Sequence, residues 1–116
     1  FLLNRSSDLE MLDKNAVIPQ YVHDGDVGMD LTAISVEYDR EHDMYIYHTG
    51  LAFKTDKHYG IFLFPRSSNR KTDAYLCNHV GIADSAIYRG EIIFCYKNSV
   101  EVGREVGWTS VHQYKR

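Results

Sequence analysis

The residues whose side chains are best suited to catalysis or ligand binding lie in three short segments. The most distinctive of these segments is basic. Segment 65–71 has the sequence Pro-Arg-Ser-Ser-Asn-Arg-Lys and directly follows the apolar run 60–64. The guanidinium of Arg66 offers a planar fork of donors to phosphate oxygens, and the hydroxyls of Ser67 and Ser68 add further donors. This pattern favours an anion site, and a solvated basic turn is the plain alternative.

The second segment, 78–92, places an acid between two apolar runs. Asp84 and Ser85 form a polar tip, which is typical of a β-hairpin. A carboxylate at such a tip can activate water, and the ring of Tyr88 can stack on a sugar or a base. Taken alone, a turn aspartate and a strand aromatic are the simpler interpretation.

The third segment, 28–33, has the sequence Gly-Met-Asp-Leu-Thr-Ala, with Asp30 between apolar residues at the start of a predicted strand. Alone it indicates no more than an exposed strand end. The six histidines add no metal site, because none forms a pair at positions i and i+4 or lies in a C-x-x-C frame. We therefore expect no metal held directly by protein side chains.

Strands must position these groups. Aromatic and β-branched residues dominate three runs, and a fourth run alternates apolar and polar residues; these are 45–48, 60–64, 91–96 and 34–38. No segment has the apolar stripe and caps of a long helix. The sequence predicts one all-β domain of many short strands over residues 1–116. Residues 99–116 have neither periodicity nor a motif and stay unassigned.

Composition and net charge limit the kinds of binding partner and the cellular location that we expect for the protein. The 116 residues carry a net charge of −3, which argues against binding nucleic acid or an anionic membrane, since both need a basic surface. No apolar run reaches the roughly 20 residues that span a bilayer. With no secretion signal, Cys77 and Cys95 are predicted to be reduced thiols and the location to be cytoplasmic.

In their order along the chain, 28–33, 65–71 and 78–92, the three segments resemble three motifs of the dUTPase family. Segment 28–33 matches Gly-x-Asp-Leu-x-Ala, the start of 65–71 matches Pro-Arg-Ser-Ser, and 78–92 resembles the hairpin motif Gly-x-Ile-Asp-x-x-Tyr-Arg-Gly-Glu. Two connecting segments also fit. Segment 12–19 resembles the strand that opens the family's fold, and 49–52 resembles its Thr-Gly-Leu-Ala segment. The motif-bearing part spans roughly residues 9 to 98.

The resemblance implies a distorted jelly-roll, β-clip-like barrel that assembles as a homotrimer with active sites at subunit interfaces. The implied reaction is hydrolysis of dUTP to dUMP and pyrophosphate, with Mg²⁺ carried by the triphosphate. Asp84 would activate the water that attacks the α-phosphorus, and Tyr88 would pack under the deoxyribose and exclude a 2′-hydroxyl. The other implied roles are uracil contacts by Asn78 and by the backbone at Ile82 and Ala83, completion of that pocket by Ile93, phosphate contacts by Arg66, Ser67 and Ser68, and indirect support of the phosphate-metal region by Asp30.

Three departures from the family pattern keep alternatives open. One extra residue separates Asp84 from Tyr88, Ala83 replaces the usual isoleucine, and no fourth or fifth motif follows residue 98. We expect a bulge or a longer turn over 85–87 to absorb the extra residue. The missing glycine-rich lid leads us to expect that the sequence is the ordered part of a longer protein. The alternatives are a nucleotide-binding or regulatory module without catalysis and a dCTP deaminase, although Tyr-Arg-Gly-Glu after an aspartate favours the hydrolase.

Overall fold

The computed structural model describes residues 2–4, 7–55, 59–83, 90–98 and 102–113. Within these residues the chain consists of short strands joined by turns, with one 3₁₀ helix, Ser67–Lys71. The strands are β1 (Leu2–Asn4), β2 (Ser7–Met11), β3 (Met29–Thr32), β4 (Ser35–Asp39), β5 (Met44–His48), β6 (Leu51–Thr55), β7 (Tyr59–Phe64), β8 (Tyr75–Leu76), β9 (Gly81–Ala83), β10 (Ile93–Lys97) and β11 (Glu105–Gln113).

These strands form three antiparallel sheets, with the orders β1-β2-β6, β4-β5-β10-β8 and β3-β11-β7-β9. The four predicted strand runs lie in or overlap β4, β5, β7 and β10. The prediction of an all-β domain of many short strands is therefore confirmed.

The predicted opening strand at 12–19 is wrong. The chain leaves β2 through a turn in which the Ala16 N–H donates to the Asp13 carbonyl oxygen at 3.1 Å. The Asp13 carboxylate accepts a further bond of 2.8 Å from the backbone N–H of Asn15. An aspartate that bonds the backbone two residues ahead favours a turn over a strand, and this local effect outweighs the apolar residues that follow.

Side chains alternate between the two faces of each strand, and one of these faces packs into a common core. In β10 the side chains of Phe94 and Tyr96 are buried. The Tyr96 ring meets the Tyr47 ring edge-on, 5.7 Å between centroids, and its hydroxyl donates to the Val106 carbonyl oxygen at 2.6 Å. Burial raises the pKa of Tyr96 to about 12, so the hydroxyl stays a neutral donor at physiological pH. These contacts join β10 to β11.

The unassigned region at 99–116 contains the nine-residue strand β11, which lies between β3 and β7. Val106 and Thr109 on this strand are fully buried, and the Thr109 hydroxyl donates to the Phe62 carbonyl oxygen at 2.8 Å. A register shift between Glu105 and Gly107 interrupts the alternation, which is why periodicity did not reveal the strand. β11 connects the strand of segment 28–33 to the strand that precedes segment 65–71.

Trp108 of β11 explains why the third segment begins with glycine. Its indole stacks on the Phe64 ring, with centroids 4.3 Å apart, and also covers the backbone of Gly28. A Cβ atom at Gly28 would overlap the indole, with Cζ3 only 2.7 Å away. Gly28 is thus required by close packing, and its presence needs no direct role in chemistry.

The two thiols lie next to each other, although they are distant in sequence. The backbone N–H of Cys77 donates to the carbonyl oxygen of Cys95 at 2.8 Å, and both cysteines are free. Burial raises the pKa of the Cys95 thiol. Within the described residues, no helix has the length and apolar character that a membrane span requires. Cytoplasmic location stays a prediction from the sequence.

Candidate active site

A cavity of about 240 Å³ opens between β9 and the beginning of β10. Its lining residues are Leu63, Asn78, Gly81, Ile82, Ala83, Glu91, Ile92 and Ile93. Four of the residues predicted to contact substrate are among them, namely Asn78, Ile82, Ala83 and Ile93. We call this cavity the nucleoside cavity.

One wall of the nucleoside cavity is β9, which is held in place by pairing with β7. Gly81 lies opposite Leu63 in that ladder, and both Gly81 and Ala83 are buried. A Cβ atom at Gly81 would lie 3.0 Å from the Cβ atom of Leu63, so glycine lets the two strands approach. Ile82 points outward and is 65% exposed. The departure from the family pattern at Ala83 therefore falls on a buried, tightly packed site.

A tight turn before β9 places Asn78 at the rim of the cavity. The His79 N–H donates to the Leu76 carbonyl oxygen at 2.9 Å, and the Val80 N–H donates to the Asn78 carbonyl oxygen at 2.6 Å. His79 adopts a left-handed backbone with φ of 62°, which is uncommon for a residue with a side chain. Its ring is nearly parallel to the Tyr75 ring, at 15° and 6.4 Å between centroids.

The opposite wall is held by the Thr-Gly-Leu segment 49–51, which runs into β6. The buried Thr49 hydroxyl donates to the Ile92 carbonyl oxygen at 2.6 Å. The Ile92 N–H in turn donates to the Leu51 carbonyl oxygen at 2.8 Å. The Gly50 N–H donates to Glu91 Oε2 at 2.8 Å. Three bonds thus fix two residues of the cavity lining to a segment about forty positions earlier.

Sequence reasoning gave no role to four of the lining residues, and Glu91 is the charged one among them. Glu91 is the last residue of the Tyr-Arg-Gly-Glu match, and this place in the motif was the signal that could have pointed to it. Besides Gly50, it contacts His48, whose Nδ1 lies 2.8 Å from Glu91 Oε1. The Nε2 of the same ring lies 2.9 Å from Glu37 Oε1. These two carboxylates, Glu91 first, raise the pKa of His48 above its ordinary value.

The candidate phosphate-binding residues lie elsewhere. Arg66 directly precedes the 3₁₀ helix, on which the exposed Ser67 and Ser68 form the first turn. The Arg66 Nη2 lies 3.1 Å from Glu105 Oε2, and both side chains are more than a third exposed. An ion pair this accessible to water contributes at most about 1 kcal/mol, so a phosphate can replace Glu105 at small cost.

Asp30 is half-buried on β3 and lies opposite Trp108 on β11. β3 and β9 are the two edges of one sheet, with β11 and β7 between them. Three strand spacings separate these edges by about 14 Å. Asp30, Arg66, Ser67 and Ser68, although all within the described residues, are not among those that line the nucleoside cavity. In one chain, the structure brings the predicted uracil-binding residues together and leaves the predicted phosphate-binding residues apart from them.

Asp84 and Tyr88 lie outside the described residues, and so does the expected bulge at 85–87. What the structure gives is the position of Ala83, the last residue of β9, which lines the nucleoside cavity. Asp84 is the next residue in the sequence.

The described residues contain no group of three or more His, Cys, Asp or Glu side chains that could hold a metal ion. Asp30 is a single half-buried carboxylate, and the other residues assigned to the predicted phosphate region are an arginine and two serines. Mg²⁺ is commonly bound through one or two carboxylates together with substrate phosphates and water. This donor set fits a magnesium ion that arrives on a triphosphate.

The fold has close counterparts among solved structures. A mutant dUTPase from phage phi11 of Staphylococcus aureus, described as coordinating a structural Mg(II) ion, is 17% identical, with a TM-score of 0.77 over 96% of this chain and 92% of that chain. A mutant dUTPase of Staphylococcus bacteriophage 80alpha, solved with dUpNHpp, is 17% identical, with a TM-score of 0.78 over 97% of this chain and 85% of that chain. These likenesses confirm the dUTPase-like all-β fold.

Comparison of the sequence with known proteins and with family models assigns the chain to a family. No curated protein matches the chain. The sequence model of the dUTPase family matches residues 14–105, which is well over half of the 116 residues and includes all three motif segments. The chain therefore belongs to the dUTPase family, the dUTP diphosphatases.

Proposed function

We propose that the protein hydrolyses dUTP to dUMP and pyrophosphate by attack of an Asp84-activated water on the α-phosphorus. The observation that supports this most is the nucleoside cavity, which unites Asn78, Ile82, Ala83 and Ile93. At about 240 Å³ it is smaller than the roughly 300 Å³ at which drug-sized pockets begin, so it suits one pyrimidine ring with the phosphates outside.

Recognition of uracil rests on the rim and the walls of this cavity. The Asn78 amide and the backbone at Ile82 and Ala83 supply donors and acceptors for the imide edge of the base. Cytosine has an amino group where uracil has a carbonyl oxygen and lacks the N3 proton, so it would leave these groups unpaired, and such mismatches discriminate strongly. The apolar side chains of Leu63 and Ile92 pack against the ring faces and leave little room for the thymine methyl group.

The phosphates are bound by Arg66, Ser67 and Ser68, with Asp30 supporting the phosphate-metal region. Mg²⁺ carried by the triphosphate would neutralise its charge and polarise the phosphoryl oxygens. Asp84 holds and deprotonates the attacking water, and the Tyr88 ring packs under the deoxyribose. Phosphoryl transfer depends mostly on positioning and charge neutralisation, so one base and a cluster of donors are sufficient.

The direct test is pyrophosphate release from dUTP, dCTP, dTTP and UTP with Mg²⁺ present. We expect release from dUTP in clear preference to the other three. Ammonia release from dCTP would identify a deaminase, and tight dUTP binding without pyrophosphate release would identify a regulatory module. Either outcome would overturn the proposal.

Replacement of Arg66 by alanine should lower kcat/KM for dUTP by about 10- to 100-fold, because a charge-assisted bond to phosphate is lost. The matched control is Glu105→Gln, which breaks the same ion pair and leaves the arginine in place. This control should keep kcat/KM within about threefold of wild type and change the free energy of unfolding by less than about 1 kcal/mol. Equal losses in both variants would show that the ion pair itself, and not phosphate binding, is what matters.

We also propose a homotrimer in which each active site combines residues of different subunits. The supporting observation is that neither Asp30 nor Arg66 is among the residues that line the nucleoside cavity within one chain, and that Asp30 lies at the opposite edge of the sheet from β9. Sedimentation at micromolar concentration should show a trimer. Mixing the Asp84→Asn and Arg66→Ala proteins, followed by subunit exchange, should raise activity above that of either protein alone, because hybrid trimers contain sites with both residues intact. A monomer in sedimentation, or no recovery after proven exchange, would contradict shared sites.

A further inference from the structure

A second cavity, of about 360 Å³, lies behind one wall of the nucleoside cavity. Its lining residues are Leu12, Asp13, Ile34, Ser35, His48, Gly50 and Glu91. Glu91 lines both cavities and therefore forms part of the partition between them. Whatever fixes the Glu91 carboxylate from the second cavity also fixes a wall of the first.

Both oxygens of the Glu91 carboxylate are held from the side of the second cavity. Oε1 lies 2.8 Å from His48 Nδ1, and Oε2 accepts the Gly50 N–H at 2.8 Å. The other ring nitrogen of His48 lies 2.9 Å from Glu37 Oε1 on the neighbouring strand β4. His48 and Glu91 are about one-quarter exposed, and Glu37 is 60% exposed.

This geometry requires a charged ring. A neutral imidazole has one N–H donor and one lone pair, so one of its nitrogens would face a carboxylate oxygen without a proton between them. Only the imidazolium donates to Glu37 and Glu91 at the same time. Protonation of His48 therefore completes a bridge from β4, through the ring, to the wall of the nucleoside cavity.

We propose that protonated His48 is a positioning residue for substrate binding, which holds Glu91 and with it the wall formed by Ile92 and Ile93. This inference rests on the proposed function of the nucleoside cavity. His48 lies in the second cavity and is absent from the lining of the first, so it acts through Glu91. Loss of its proton leaves one carboxylate without its donor and loosens the partition, which weakens nucleotide binding and leaves the chemistry at the α-phosphorus unchanged.

The charged groups around His48 determine the pH range in which the bridge from β4 to Glu91 is complete. Within the described residues these are Glu37 on β4, Glu91 before β10, and Asp13, which lines the same cavity from the turn after β2. All three are acidic and favour the imidazolium. Because the carboxylates raise the pKa of His48, the bridge is complete below its ordinary pKa of about 6.5 and is lost as the pH rises through the raised value.

The test is the pH dependence of KM for dUTP, measured from about pH 5.5 to about pH 9 on wild type, His48→Gln, Glu37→Gln and Ser35→Ala. In wild type, KM should rise as His48 loses its proton. His48→Gln should raise KM about five- to tenfold at the acidic end, remove the wild-type rise, and change kcat by less than about threefold. The titration of the triphosphate itself is common to all variants and cancels in their ratios.

Two further variants distinguish a positioning role of His48 from a general disturbance of the structure around it. Glu37→Gln removes one of the carboxylates that raise the pKa of His48, so the rise in KM should move to lower pH with the wall otherwise intact. Ser35→Ala changes a residue that pairs directly with His48 and lines the same cavity without charge, and it should match wild type. dUMP binding, followed by calorimetry over the same pH range, gives the same comparison without turnover.

An unchanged pH profile in His48→Gln, or equal effects in Ser35→Ala, would overturn the inference while leaving dUTP hydrolysis intact. An unshifted profile in Glu37→Gln would overturn the bridge through β4. If wild type neither hydrolyses dUTP nor binds dUMP, the proposed function fails, and this inference fails with it.

Discussion

The Asp84→Asn protein should bind dUMP as wild type does and release pyrophosphate from dUTP at least about 100-fold more slowly. General-base catalysis typically contributes about 10²- to 10⁴-fold, and asparagine keeps the size of the side chain without its basicity. The loss should fall on kcat, because the proposed uracil contacts come from Asn78 and from β9, which ends one residue earlier. Single-turnover pyrophosphate release and calorimetric dUMP binding measure the two effects separately.

The matched control for this variant is Ser85→Ala. The extra residue before Tyr88 leaves two positions that could correspond to the family's aspartate, and Ser85 is the second of them. Ser85→Ala should retain kcat within about threefold of wild type. If Asp84→Asn instead keeps turnover within threefold, Asp84 is not the base, and the proposed mechanism is wrong.

Substitution of Gly107 by valine should reduce the free energy of unfolding by about 3 kcal/mol, the largest stability effect that we expect from one residue. A Cβ atom there would overlap the Phe64 carbonyl oxygen on β7 and lie 2.5 Å from Phe94 Cε2. A change of rotamer cannot relieve a clash with backbone, so β11 would have to move away from its neighbour. Urea denaturation with two spectroscopic probes gives the change.

Gly103→Asn serves as the control for this substitution. Gly103 has a φ of 90° and nothing within 4 Å of a built Cβ atom, and asparagine tolerates left-handed backbone better than most residues. It should reduce the free energy of unfolding by no more than about 1 kcal/mol. Equal denaturation midpoints for the two variants would mean that β11 does not lie between β3 and β7.

The sequence by itself determined the fold class, the family and four of the residues that line the nucleoside cavity. Strand runs such as 60–64 were predictable because burial of one face imposes a period of two on local sequence. The proposed uracil-contacting residues were predictable because they lie close together in sequence, in or directly beside the motif segment 78–92. Asn78 begins that segment and Ile93 directly follows it, and both line the cavity.

Only the tertiary structure decided where β11 lies and which residues support the cavity wall. β11 was missed because a register shift and two glycines in 103–107 disturb its period, and its burial depends on β3 and β7, which are far away in sequence. His48 and Glu91 are separated by 43 positions. Local periodicity indicates which face of a strand is buried, but it carries no information about which strand lies beside it, and contacts between distant segments form only when the sheets pair and pack.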